Sequence, residues 1–242
     1  MTAHKNIDTL IRQAPAHWVG DGFPVRNILS VQREGTRISP FLLLDYAGPY
    51  DFAPGAVPRG VGQHPHRGFE TVTIVYRGEL EHRDSAGNHG RIGPGDVQWM
   101  TAAGGVLHEE FHSREFTHTG GVFEAVQLWV NLPAKHKLDL PRYQTLLAGD
   151  IPVVELPDGA GTLRVIAGEY GGRRGPAQTY TPVEVWDLKL VASAAVELPF
   201  AQGHAATLVV LHGQARVNGR ETLGEAQAAQ LTRAGERVTV EA

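Results

Sequence analysis

The chain has 242 residues, of which 42% are hydrophobic and 20% charged, enough apolar material for the core of one large domain or two ordinary ones. Its net charge of −4 argues against a general nucleic-acid or anionic-membrane surface, which requires a basic excess. There are no cysteines, so disulfides and thiolate metal sites are excluded and any metal must be held by imidazole and carboxylate.

The N-terminal stretch carries no apolar core of signal-peptide length, and no apolar run is long enough to cross a bilayer. The default expectation is a soluble cytoplasmic protein with neither nucleic acid nor membrane as a direct partner. The 29 glycines and 15 prolines punctuate short segments rich in Val, Leu, Ile, Thr and aromatics. A helical apolar period never persists beyond about three turns. The expected class is therefore all-β, a sandwich or barrel.

In chain order, residues 1–20 read as an irregular arm and 25–31 as the first strand. Residues 41–46, Phe-Leu-Leu-Leu-Asp-Tyr, are apolar enough for a strand buried on both faces. Residues 48–62 are rich in Pro and Gly and read as a long loop carrying Tyr50, Phe52 and Arg59. It runs directly into His64, as a lid or pocket wall or as a plain connection.

There follows His64-Pro65-His66-Arg67-Gly68-Phe69-Glu70, then residues 71–76, which are β-branched, aromatic and free of breakers. Residues two apart on a strand share a face, so His64 and His66 aim two imidazoles at one spot. His108 and Glu110 repeat that spacing after Gly104-Gly105. If the two segments lie opposite each other, four donors converge, a number that suits a divalent transition metal with positions left open for substrate. One His-X-His among 12 histidines is equally an ordinary loop pair; two such pairs beside Gly turns and strand-like runs favour the metal.

Residues 79–83 alternate like a half-exposed strand, 84–88 form a hairpin turn, and 92–96 form a second tight turn. Strands follow at 97–101 and 122–131. Residues 1–132 read as a first domain, the charged and Pro-flanked 133–142 as a linker, and 143–242 as a second domain. Strands are expected there at 153–156, 163–167, 183–191, 206–211 and 238–240, with Arg173 and Arg174 at a solvated loop tip.

The second domain repeats the first. Laying Gly213 on Gly78 places Gly203 over Gly68 and residues 208–211 over the central strand. The positions of His64, His66 and Glu70 then hold Pro199, Ala201 and Ala205, and those of His108 and Glu110 hold Thr239 and Glu241. Because the strand and turn pattern survives this loss of donors, the histidines are not required by the fold itself.

The His-X-His, the Gly-punctuated strands and the later histidine resemble the metal-binding motifs of the cupin superfamily, and the doubled pattern resembles a bicupin. PFLLLDYAG, HPHRGFETVTIVYRG, EHRDSAGN, GPGDVQWMTAAGGVLHEE, QLWVNLP and TPVEVWDL more specifically resemble the pirin family, over nearly the whole chain. The resemblance implies two tandem β-barrels with metal, usually iron, in the N-terminal one only, on His64, His66, His108 and Glu110. Other divalent ions (Mn, Ni, Co, Cu or Zn) suit the same donors. In general cupins the glutamate at the place of Glu70 is a ligand; on the pirin pattern Glu70 becomes an outer-shell or alternative ligand, and Gly68 permits a bend that turns it away. Family members also continue past the position of Val240, so on this resemblance the second barrel is incomplete.

The resemblance implies cleavage of a flavonol such as quercetin with O2, Glu110 or Glu70 taking the substrate's proton. Phe52, Trp99, Met100, Phe111 and Trp129 are candidate walls for an aromatic substrate, or ordinary core. The rival reading is a metal-loaded regulatory module that binds a protein partner without turnover, a transcriptional or metabolic co-regulator.

Overall fold

The computed structural model describes residues 3–242. Twelve strands build the first half: β1 (Ile7–Ile11), β2 (Ala16–Val19), β3 (Phe23–Ser30), β4 (Phe41–Phe52), β5 (Gly60–His66), β6 (Phe69–Arg77), β7 (Leu80–Asp84), β8 (His89–Ile92), β9 (Val97–Thr101), β10 (Val106–His112), β11 (Gly121–Asn131) and β12 (Arg142–Leu146). A one-turn helix, α1 (Val31–Glu34), follows β3, and a second helix, α2 (Arg114–Thr119), follows β10, its first turn capped by Ser113 accepting from the Phe116 N–H.

Two antiparallel sheets result, a seven-stranded one in the order β12-β9-β6-β11-β4-β3-β2 and a four-stranded one in the order β5-β10-β7-β8. One end of the space between them is filled by Val75, Phe123, Ala125 and Phe52 from the large sheet and Leu80 and Ile92 from the small one. The outer face of the large sheet presents Val72, Ile74, Trp99, Leu128 and Val130 to Ile166, Ala167, Val183, Ala226 and Ala228 of the second half. Strand β6 is therefore buried on both faces, which explains its nearly unbroken run of Val, Ile and Thr.

The second half is again built mainly of strands, with sheets formed from Gly161–Ala167 and Val185–Leu190, from Ala195–Pro199 and Arg237–Glu241, and from Ala206–Val210 and Gln227–Leu231. The glycines aligned by the internal repeat have matching backbones: φ is +79° at Gly68 and +83° at Gly203, and +78° at Gly78 and +71° at Gly213. Those left-handed positions are where a side chain is strained, which is why glycine recurs there while the donors between do not. No helix among the described residues is long and apolar enough to cross a membrane.

Three expectations change. Residues 1–20 are not an irregular arm: β2 edges the large sheet, and β1 pairs with Gln227–Leu231 of the second half. The loop expected at 48–62 shrinks to 53–59, because β4 continues through Pro49 to Phe52. Past its last pairing with β3 at Ala47, one side of β4 has no ladder partner, so the missing N–H of Pro49 costs nothing there. The linker ends in strand: Arg142 opens β12, which pairs with β9 of the first half. Strand pairing thus crosses the division at 133–142 twice, once in each direction.

The arm is pinned by Lys5, which is fully buried and whose Nζ donates to the carbonyls of His204 (2.9 Å), Thr232 (3.1 Å) and Arg233 (3.1 Å). Lys5→Met keeps the apolar stem but strands three acceptors. We expect a loss of about 2 kcal/mol in urea denaturation, with faster amide exchange in β1. Unchanged stability would remove the arm from the account of the fold.

Candidate metal centre

Strands β5 and β10 pair so that His108 stands opposite His64 and Val106 opposite His66. The alternation that carries both i, i+2 pairs therefore turns all three imidazoles to the interior. One donor nitrogen from each of His64, His66 and His108 lies within 4.8 Å of the others. The ring centroids are 4.4 to 4.8 Å apart, and the Nε2 atoms of His66 and His108 approach to 3.0 Å. Nδ1 of His64 faces the Gly62 carbonyl at 2.9 Å; a carbonyl only accepts, so Nδ1 is the donor of this contact and Nε2 is the nitrogen left for a metal.

Burial lowers the pKa of His66 to about 3 and of His108 to about 4, with neighbouring imidazoles adding to the effect. Both rings are neutral near pH 7, the form that ligates a cation. Three converging imidazoles, two of them kept neutral by burial, with no acidic donor among them fit a divalent transition metal better than they fit one another.

Glu110 is buried on the same face of β10, beyond a register shift in the β5 pairing. Its oxygens turn toward the Thr73 hydroxyl (3.4 Å) and the Gln127 amide (3.3 Å) rather than joining the cluster of nitrogens. Both contacts are long, so little holds the carboxylate in that orientation. Burial raises its pKa, opposed by His64.

Glu70 lies on the opposite face of the large sheet. It is fully buried, pairs across the ladder with Thr101, and accepts from the Thr101 hydroxyl at 2.7 Å. Residues 69, 71 and 73 of β6 face the imidazoles while 70, 72 and 74 face the second half. The expected roles of Glu70 as alternative ligand or proton acceptor are thus corrected by strand phase, which the left-handed Gly68 sets at the entrance of β6.

The five candidate wall residues separate in the same way. Trp129 is at the centre, 5.3 Å from the His66 ring and stacked on Phe69 at 4.4 Å. Met100 is on the inner face, fully buried beside Val106. Trp99 points outward into the core between the halves, and Phe111, between Glu110 and His112, points away from the interior. Phe52 is inside but at the other end, against His112 at 4.6 Å.

Two residues at the site were not foreseen. His82 stands directly opposite Glu110 across the β7–β10 ladder, buried, its pKa lowered to about 4 chiefly by burial. Its ring stacks on Tyr143 at 4.5 Å and 22°, and the Tyr143 hydroxyl shares a hydrogen bond with Nε2. Alternation alone marks His82, since Leu80 and His82 share the buried side of β7. Tyr143 carries no such signal, because it sits where the chain was divided.

Paired antiparallel sheets around a histidine cluster, followed by a second all-β half without one, define a protein of the cupin class. The sequence profile of the Pirin family matches residues 22–130. The chain is 60% identical over 238 residues to a Pseudomonas aeruginosa protein provisionally named quercetin 2,3-dioxygenase, spanning 98% of this chain and 83% of that one. It is 36% identical over 224 residues to mouse Pirin, spanning 88% and 72%. A crystal structure of quercetin 2,3-dioxygenase from Acinetobacter baumannii superposes with a TM-score of 0.96 at 51% identity, covering 99% of this chain and 83% of that one. The chain belongs to the pirin family.

Four buried histidines, His66, His82, His108 and His112, have folded-state pKa values of about 3 to 4. The unfolded chain, with histidines near 6.5, binds more protons below that pH, so the stability is present above about 6.5 and is lost as pH falls. The melting temperature of the metal-free protein should be level from pH 8 to 7 and fall steadily below about 6.5. A level curve down to pH 4.5 would contradict the neutral assignment.

Proposed function

We propose that the chain binds one divalent transition metal through His64, His66 and His108, with Glu110 completing the set, and acts as a dioxygenase on a flavonol such as quercetin. The observation that carries this reading is the convergence of three imidazoles in an interior that also holds Trp129. The names of the Pseudomonas and Acinetobacter relatives supply the substrate class.

When bound, a redox-capable ion such as iron(II) would supply Lewis acidity toward a substrate hydroxyl and a site at which substrate and O2 meet. The remaining work falls to the protein. Trp129, braced by Phe69, offers a flat apolar face to a planar ring system beside His66. Glu110, with its pKa raised by burial, is suited to take the hydroxyl proton at whichever oxygen turns from Thr73 or Gln127. The two sheets around it limit the entry of water.

Metal analysis after reconstitution with ferrous iron should give one equivalent per chain. His66→Ala and His108→Ala should each weaken metal binding by roughly a hundredfold or more. Oxygen uptake with quercetin should be abolished in both. Glu110→Gln should lower that uptake strongly, whereas Glu70→Gln, on the far face, should keep the metal and most of the rate. Iron-loaded protein that leaves quercetin untouched under oxygen would sink the enzyme reading and leave the regulatory module as the better account.

A further inference from the structure

The inner face of the large sheet is laid out in transverse rows, because directly paired residues of antiparallel strands share a face. One row runs Leu43, Trp129, Thr71, Met100, Tyr143 across β4, β11, β6, β9 and β12. It faces the small sheet, where His64 and His66 stand on β5, His108 and Glu110 on β10, and His82 on β7. Trp129 closes the β5 side through its contact with His66, and Tyr143 closes the β7 side through its stack on His82. A ligand held in front of the three imidazoles therefore lies between two aromatic walls, and only the Tyr143 wall carries a hydroxyl.

That hydroxyl is oriented before any ligand arrives. His82 fixes it from one side, and room for the pair depends on Gly90, where a Cβ would come within 2.9 Å of His82 Nε2 and 3.7 Å of the Tyr143 oxygen. With His82 in the tautomer that leaves Nε2 unprotonated, the phenol donates to it and keeps its oxygen lone pairs for an incoming O–H group. In the next row Gln98 also faces the interior. It is 1% exposed, and neither its amide nitrogen nor its amide oxygen has a protein partner. A buried amide left in this way is a group suited to bonding a polar ligand.

Tyr143 also explains what the metal-free half contributes. The neighbours of Tyr143 on β12 point the other way and grip Gln178 of the second half: Arg142 donates to its backbone carbonyl at 2.7 Å, Gln144 donates to the same carbonyl at 3.0 Å, and the Gln178 N–H donates to Gln144 at 2.9 Å. The second half thus holds the strand that delivers this side chain.

We infer that Tyr143 is a ligand-binding residue of the metal centre, its His82-oriented hydroxyl hydrogen-bonding a planar ligand that carries adjacent oxygens, opposite the Trp129 wall. The inference rests on the metal reading above, but not on turnover. It is tested with cobalt(II)-loaded protein titrated with 4-nitrocatechol, the probe's absorbance giving Kd, and with cobalt content measured in parallel. Tyr143→Phe, which keeps the stack on His82, should retain one cobalt and bind the probe about three- to tenfold more weakly, the loss expected for one hydrogen bond. Tyr143→Leu, which also removes the wall, should bind it more weakly still. Wild-type affinity in Tyr143→Phe overturns the hydroxyl contact, and wild-type affinity in both variants, or no probe binding to the loaded wild type, overturns the assignment altogether. Oxygen uptake with quercetin separates the two claims: uptake alongside unchanged probe affinity sinks only the role of Tyr143, and weakened probe binding without uptake sinks only the dioxygenase.

Discussion

The structure depends on the strict alternation of side chains along β6 and β11, in a sheet that is buried on both faces. In most sheets alternation separates core from solvent; here it separates two interiors of different chemistry. Outward go Val72, Ile74, Leu128 and Val130, which join the halves. Inward go Thr71, Thr73, Gln127 and Trp129, on the face turned toward the imidazoles. A slip of one residue in either strand would exchange these sets, placing threonine and glutamine in the apolar junction and valine against the imidazoles. Register is therefore specified from both sides, and the left-handed glycines at 68 and 78 bracket the strand that carries it.

A polar interior is costly unless its groups are paired, and the inner face shows how that cost is limited. Asp45, Gln127 and Thr73 form a continuous row, with Asn27 donating to Asp45 at 2.6 Å and the Thr73 hydroxyl bonding Gln127 at 2.9 Å, and Gln98 at its end is left without a protein partner. His66 and His108 are kept neutral by their burial, so they add no net charge to this environment. Glu110 is the one acidic group set against them on β10, and its weak contacts leave it responsive to whatever occupies the site. Rigidity comes from the strands, and chemical adaptability from a few loosely held side chains.

The two halves are unequal partners in one molecule. They exchange β1 and β12, share an apolar junction, and are tied around it by Glu124, which accepts from Tyr46 at 2.7 Å and lies against His212 of the second half at 2.5 Å. The half that has lost its donors keeps the same glycine turns and strands, and it contributes by backing the sheet that carries the site.

The all-β class, the strands around 71–76, 97–101 and 122–131, and the sharing of a face by His64 with His66 and by His108 with Glu110 were legible in the sequence. They follow from local rules: β-branched runs between Gly and Pro, and a side-chain period of two. The turning away of Glu70 from the imidazoles was legible in Gly68, whose left-handed backbone changes the phase at the entrance of β6. What lay beyond the sequence was set by pairing between distant strands. No local pattern could show that β1 joins the second half, that Trp99 and Phe111 turn away from the imidazoles while Trp129 turns toward them, or that His82 meets Tyr143. These contacts depend on which strands are neighbours and in which register. Register is decided by the burial of whole faces against one another, a property of the assembled sheets and not of any stretch of chain.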